Sequence, residues 1–167
     1  MTTQPTGRLR GNNLVLTRRF RAPIEDVWTS ITDSSSTARW FGRWEGKPGA
    51  GNEIRIQMGF EEGSPWLTKT IEACEPPRRL VLTSVGSSMA SRLELGLKTT
   101  NDGCELEFTH HDIDRAKVGD VGPGWEYYLD CLVAARDGKP LPAFDSYYPA
   151  QKAYFAGLAS ESPAATP

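Results

Sequence analysis

Gly124-Trp125-Glu126-Tyr127-Tyr128-Leu129-Asp130-Cys131-Leu132-Val133-Ala134-Ala135-Arg136-Asp137-Gly138 is the stretch from which the rest of the chain can be read. Trp125, Tyr128, Leu129, Leu132 and Val133 recur at i, i+3, i+4, i+7 and i+8, one apolar stripe at helical period. Gly138 and Pro140 stop the pattern, as a helix end requires. A single long helix needs a surface on which to bury its stripe, and the strand-rich sequence before it can supply one. A helix lying in the mouth of a curved sheet leaves room for a cavity, and a cavity is where function would sit.

Upstream, Leu14, Leu16, Arg18 and Phe20 alternate onto one strand face, with Arg18 the odd member. Ala22-Pro23 opens a helix whose buried stripe is Ile24, Val27, Trp28 and Ile31, with Glu25 and Asp26 at its positive end. Asp33-Ser34-Ser35-Ser36 breaks it and caps a second short helix containing Ala38, Arg39, Trp40 and Phe41. After a Gly/Pro-rich loop over residues 46–52, five more strands are expected. They are Glu53 to Phe60, Trp66 to Cys74, Arg79 to Ser84, Arg92 to Thr99 and Cys104 to His110. Pro76-Pro77 ends the second of these, because proline cannot donate to a ladder. Gly86-Ser87-Ser88 and Asn101-Asp102-Gly103 read as turns, the latter a strong hairpin signal. The order is β-αα-β-β-β-β-β-α, and short turns between successive strands mean an antiparallel meander.

The 167 residues suit one domain: a flexible start over 1–12, a folded domain over 13–138, an aromatic, proline-rich extension over 139–158 and a disordered tail over 159–167. A short last helix is expected from about Pro149 to Leu158. Hydrophobic residues make up 38% and the net charge is −2, which argues against a dedicated nucleic-acid binder. Arg8, Arg10, Arg18, Arg19 and Arg21 fall in a stretch without acids; they read as surface and strand arginines, or else as a small anionic contact patch. Cys74, Cys104 and Cys131 are widely spaced and odd in number, so free thiols in a reducing cytosol are expected. No signal peptide or apolar span is apparent, and the protein is read as cytoplasmic, a monomer or homodimer.

Several segments together resemble the SRPBCC (START-like, helix-grip) superfamily. Arg18-Arg19-Phe20-Arg21-Ala22-Pro23-Ile24-Glu25-Asp26-Val27-Trp28 is similar to its strand-to-helix opening. Arg39-Trp40-Phe41 resembles its short second helix, and Glu75-Pro76-Pro77-Arg78-Arg79-Leu80-Val81-Leu82 the turn and strand that follow. Leu106-Glu107-Phe108-Thr109-His110 is similar to the last strand, and Gly124-Trp125 with Leu129 and Leu132 to the C-terminal helix. Within the superfamily the chain looks closest to the heat shock protein 90 ATPase activator homologue-like group. The resemblance implies an α+β helix-grip fold, a curved antiparallel six-stranded sheet wrapped around the long C-terminal helix, with a cavity between them. Activity does not follow from fold.

Chemistry-bearing motifs are sparse. GxSxG, GxGxxG and P-loop patterns are absent, no cofactor is expected, and no catalytic residue is assigned. Adjacent His110 and His111 point to opposite strand faces and cannot easily share a metal, so no metal site is expected. Glu61-Glu62 reads as solvated turn charge. His110 shares the inward face of Leu106 and Phe108, either as a satisfied core histidine or as a polar handle in a cavity. Arg18 needs a partner, either a protein acid in an ion pair or a ligand carboxylate. Tyr128 is either a core aromatic or a hydroxyl facing the same space. Trp28, Trp40, Phe41, Trp66, Trp125 and Tyr128 are plausible inner aromatics.

From the fold, the expected ligand-binding residues are Arg18, Trp40, Ile56, Met58 and Leu95, together with Phe108, His110, Trp125, Tyr128 and Leu132. The function expected is binding of a small hydrophobic ligand, a lipid or aromatic metabolite. The alternative is a protein-interaction or stress-response module using Phe144, Tyr147, Tyr148, Tyr154 and Phe155. A further alternative is an enzyme of the cyclase, dehydratase or hydrolase type, for which His110, Arg18 and Tyr128 would be the candidates.

Overall fold

A computed structural model describes residues 4–84 and 91–161. The turn expected at Gly86-Ser87-Ser88 and residues 162–167 of the expected tail lie outside the described residues. In chain order the elements are β1 (Arg8–Arg10), β2 (Asn13–Phe20), α1 (Ile24–Thr32), α2 (Ser34–Thr37), β3 (Trp44–Gly46), β4 (Glu53–Gln57) and β5 (Trp66–Glu75). They continue with β6 (Arg79–Ser84), β7 (Arg92–Thr100), β8 (Gly103–His111), α3 (Val118–Arg136) and α4 (Lys152–Ser160). The strands form one open antiparallel sheet in the order β1-β2-β8-β7-β6-β5-β4-β3, and α1 and α2 carry the chain from β2 to the opposite edge.

The expected α+β architecture is present with eight strands where six were expected. The additional β1 and β3 are three-residue edge strands, too short to show an alternating pattern. β1 lies in the stretch read as a flexible start and pairs Arg8 with Val15 and Arg10 with Asn13. β4 stops at Gln57, and Phe60, expected on its inner face, is 41% exposed. The short second helix precedes Trp40 and Phe41 rather than containing them: Asp33 caps it by accepting from the backbone N–H of Ser36 at 3.1 Å.

Ladder register sets one apolar face. Leu16 lies opposite Phe108, Leu95 opposite both Phe108 and Leu80, and Leu82 opposite Leu93. The stripe of α3 covers this face, with Leu129 and Leu132 essentially inaccessible to solvent. Burying such side chains contributes about 1.5–3 kcal/mol each.

α3 begins at Val118, a full turn and more before the expected start at Gly124. Gly119, Gly122, Pro123 and Gly124 are poor helix formers and hide that start. For Gly119 and Gly122 the reason is packing, whereas a Cβ on Gly124 would meet nothing within 4 Å. A Cβ on Gly122 would lie 2.4 Å from the ring of Phe155, and one on Gly7 would lie 2.7 Å from the same ring. Phe155, on α4, is thereby fully buried between the N-terminal segment and α3. The extension is fastened on the domain by Tyr147, whose hydroxyl donates to Asp130 at 2.7 Å, and by Tyr154, which donates to the Gly7 carbonyl at 2.8 Å. The last helix runs to Ser160, so Ala159 and Ser160, assigned to the tail from sequence, are helical.

Candidate functional site

Between the inner face of the sheet and α3 lies a cavity of about 130 Å³. Its floor is Ile54 and Ile56 of β4, Ile71 of β5, Leu80 and Leu82 of β6, Leu93 and Leu95 of β7, and Phe108 of β8. Trp125 and Leu129 of α3 close it from above. Ile31, Thr32 and Thr37 of α1 and α2, with Trp40, Phe41 and Trp44 after them, form the side wall, and Pro48 and Gly49 lie at its rim. The aromatic part is a connected cluster. Trp125 sits 4.5 Å from Phe108 and 6.2 Å from Phe41, ring centre to ring centre, and Phe41 meets Tyr128 edge-on at 4.8 Å.

Polar groups in this wall are turned away from the space. The Trp40 indole donates to the Ser30 carbonyl at 2.9 Å and the Trp44 indole to the Thr32 carbonyl at 2.8 Å, which leaves their ring faces for the cavity. The hydroxyls of Thr32 and Thr37 donate to the carbonyls of Trp28 and Ser34. An apolar molecule entering here loses water without orphaning a protein polar group. The volume is that of a cavity that holds a benzene-sized molecule.

Of the ten residues expected from sequence, Trp40, Ile56, Leu95, Phe108 and Trp125 line the cavity, and the other five do not. Met58 and Leu132 are buried in the core beside it. Arg18 points inward as expected but is fully engaged: it donates to Glu126 at 2.8 Å, to Asp130 at 3.0 Å and to the Thr6 hydroxyl at 3.0 Å. The Glu126 carboxylate, 1% exposed, also accepts from the backbone N–H groups of Thr6 and Gly7 and from the Thr6 hydroxyl. Arg18 therefore has the partner that a buried guanidinium requires within its own chain, and it is not free for a ligand carboxylate.

His110 accepts from the Trp125 indole N–H at Nδ1, 3.1 Å away. Burial, with Lys69 and His111 nearby, lowers its pKa to about 4. Tyr128 donates to Glu61 at 2.7 Å, and burial first, then that carboxylate, pushes its phenol above the ordinary range. Glu61, read as solvated turn charge, thus ties the β4–β5 connection to α3. The three polar candidates Arg18, His110 and Tyr128 are held in three separate hydrogen-bond sets rather than converging on one point. Trp66, read as an inner aromatic, lies between the Arg43 and Arg55 guanidiniums at 4.7 and 4.5 Å from its ring centre.

Sequence reasoning missed Glu126 and several lining residues, among them Ile31, Ile54, Leu82 and Leu93. Glu126 and Asp130 stand at i, i+4 on α3, so an inward Arg18 opposite that helix was a signal for the pair. Among the described residues no group of three or more His, Cys, Asp or Glu could hold a metal ion, and no helix is long and apolar enough to cross a membrane.

The family model described as "Activator of Hsp90 ATPase homolog 1-like protein" matches residues 21–136. The chain is similar to CalU16 from Micromonospora echinospora, whose crystal structure superposes with a TM-score of 0.76 at 27% identity over 96% of this chain and 100% of that one. It is similar also to the protein encoded by BPP1335 of Bordetella parapertussis, with a TM-score of 0.71 and 25% identity over 94% of this chain and 91% of that one. MLL2253 of Mesorhizobium loti shares the fold, with a TM-score of 0.67 at 21% identity over 77% of this chain and 99% of that one. No curated protein matches the sequence significantly.

Proposed function

The chain belongs to the activator of Hsp90 ATPase homolog 1-like family, within the SRPBCC superfamily, and on that premise we propose that it binds a small hydrophobic molecule between its sheet and α3. The observation that carries this reading is the cavity wall. It is built mainly of aliphatic and aromatic side chains; the hydroxyls of Thr32 and Thr37 and the indoles of Trp40 and Trp44 are already bonded to backbone, and the Trp125 indole to His110. Such a wall recognises shape and apolar surface, with the free Cys74 thiol the one nucleophile type among its described lining residues and no acid–base partner for it in that lining. The space takes a single aromatic ring or a short alkyl chain as it stands.

Of the extension's aromatic residues, Tyr147 and Phe155 are buried against their own domain and unavailable to a partner, and only Phe144 and Tyr154 are exposed. Native mass spectrometry of the purified chain, with a tryptophan-fluorescence screen of single-ring aromatics and short-chain alkyl compounds, tests the proposal. Saturable binding that quenches Trp125, and is lost when Leu82→Phe fills the cavity, is the expected result. Absence of binding across the whole set would overturn it.

A further inference from the structure

Four polar side chains stand beside the cavity without lining it, on β5, β6, the residue before β7, and β8. Lys69, Ser84, Ser91 and His110 each lie two residues along the chain from a lining residue, respectively Ile71, Leu82, Leu93 and Phe108. In an antiparallel sheet those offsets place all four on the same face and at the same end. Register agrees: Lys69 pairs with Ser84 on one side and with Ile54, a lining residue, on the other, and His110 pairs with Leu93.

The row is built around a buried cation. Lys69 is 5% exposed, and its ammonium donates to the hydroxyls of Ser84 at 2.7 Å and Ser91 at 3.1 Å. No ion pair is made by Lys69 among the described residues, and burial is what lowers its pKa. A desolvated ammonium that meets only neutral hydroxyls is an unfavourable arrangement unless a counter-charge arrives.

Among the described residues, this end keeps three unused donor hydrogens against one unused serine lone pair. An ammonium carries three N–H groups, and the two serines take two of them. Indole N–H groups only donate, so His110 Nδ1 is the accepting nitrogen, and the neutral ring carries its hydrogen on Nε2. Nε2 has no protein acceptor among the described residues. The Ser84 and Ser91 hydroxyls lie 2.8 Å apart, so one bonds the other and one hydroxyl hydrogen is left. Trp125 joins the two regions, since it lines the cavity and also bonds His110.

We propose that Lys69, Ser84, Ser91 and His110 form a head-group site for a carboxylate, and that the ligand is an organic acid whose apolar body occupies the cavity. This deepens the cavity-binding reading and rests on it. Two residues of strand span roughly 7 Å, so a ring in the cavity reaches the row through a linker of two or three carbons.

Hydrocinnamate and hydrocinnamyl alcohol share that ring and linker and differ in the charged end, so they are the probes. Each is titrated into the full chain at neutral pH by calorimetry and by NMR. The acid is expected to bind at least about tenfold more tightly than the alcohol, the scale of a charge-assisted hydrogen bond in a dry site. In Lys69→Met that ratio should fall to about one. Equal affinities on the wild-type chain would overturn the head-group site and leave the cavity reading standing. Binding of neither probe would overturn both. A preference that survives in folded Lys69→Met would also overturn the assignment. The wild-type comparison needs no variant, so it decides the matter even if Lys69→Met does not fold.

Discussion

Replacing Arg18 by leucine isolates the strongest buried electrostatic feature of the fold. The Glu126 carboxylate is 1% exposed and the Arg18 side chain 11% exposed, so the pair is screened from water on almost every side. Removing one member of such a pair typically costs about 3–5 kcal/mol, because the other charge is left buried. Here Glu126 keeps three donors, the Thr6 and Gly7 backbone N–H groups and the Thr6 hydroxyl, which places Arg18→Leu at the lower end, about 3 kcal/mol. For a chain of this length that corresponds to a fall in Tm of roughly 6–12 °C. The double variant Arg18→Leu/Glu126→Gln removes the stranded charge while retaining an acceptor, and should recover about 2 kcal/mol of the loss. Equilibrium urea unfolding of the wild type and both variants measures this directly. A single variant destabilised by less than about 1 kcal/mol, or a double variant no more stable than the single, would refute the reasoning.

Two further outcomes follow from the packing and the titration of the core. Gly122→Ala raises helix propensity by about 1 kcal/mol on an open helix, yet here its methyl meets the buried Phe155 ring, so a net loss of about 1–3 kcal/mol is expected in thermal unfolding; a stabilised variant would contradict the α3–α4 contact. His110 has a folded pKa of about 4 against an ordinary 6.5, so the unfolded chain binds the extra proton first as pH falls. Its contribution is therefore complete above pH 6.5, is lost as pH falls through the window down to about 4, and amounts to about 3 kcal/mol at most. The difference in stability between wild type and His110→Gln should shift in that direction between pH 6.5 and 5, and an NMR titration midpoint for His110 near 6.5 would contradict it.

How much of this was readable beforehand depended on what periodicity encodes. Alternation places Ile54, Ile56, Leu93, Leu95 and Phe108 on one face and so predicts the sheet and its inner side. It encodes face and not depth. His110 and Phe108 share a face, yet only Phe108 reaches the cavity, because His110 lies one step further along the strand. A lysine amid threonines reads as solvent-facing, so the burial of Lys69 has no local signal. The companions that reveal it, Ser84, Ser91 and His110, come together only through strand register. Similarly, nothing local in the sequence gives a reason for Gly122, because its partner Phe155 lies on α4, far along the chain. The fold was legible from local pattern, whereas the polar networks required long-range pairing.

The central claim is that the space beneath Trp125 receives an apolar molecule. Methyl-detected NMR of the full chain, titrated with hydrocinnamyl alcohol, tests it most directly. The account predicts saturable shifts centred on Ile54, Ile71, Leu82, Leu93 and Leu95 and on the Trp125 indole, with the surface-exposed Leu67 unmoved. Shifts scattered over exposed residues, or none up to the solubility limit of the alcohol, would contradict it.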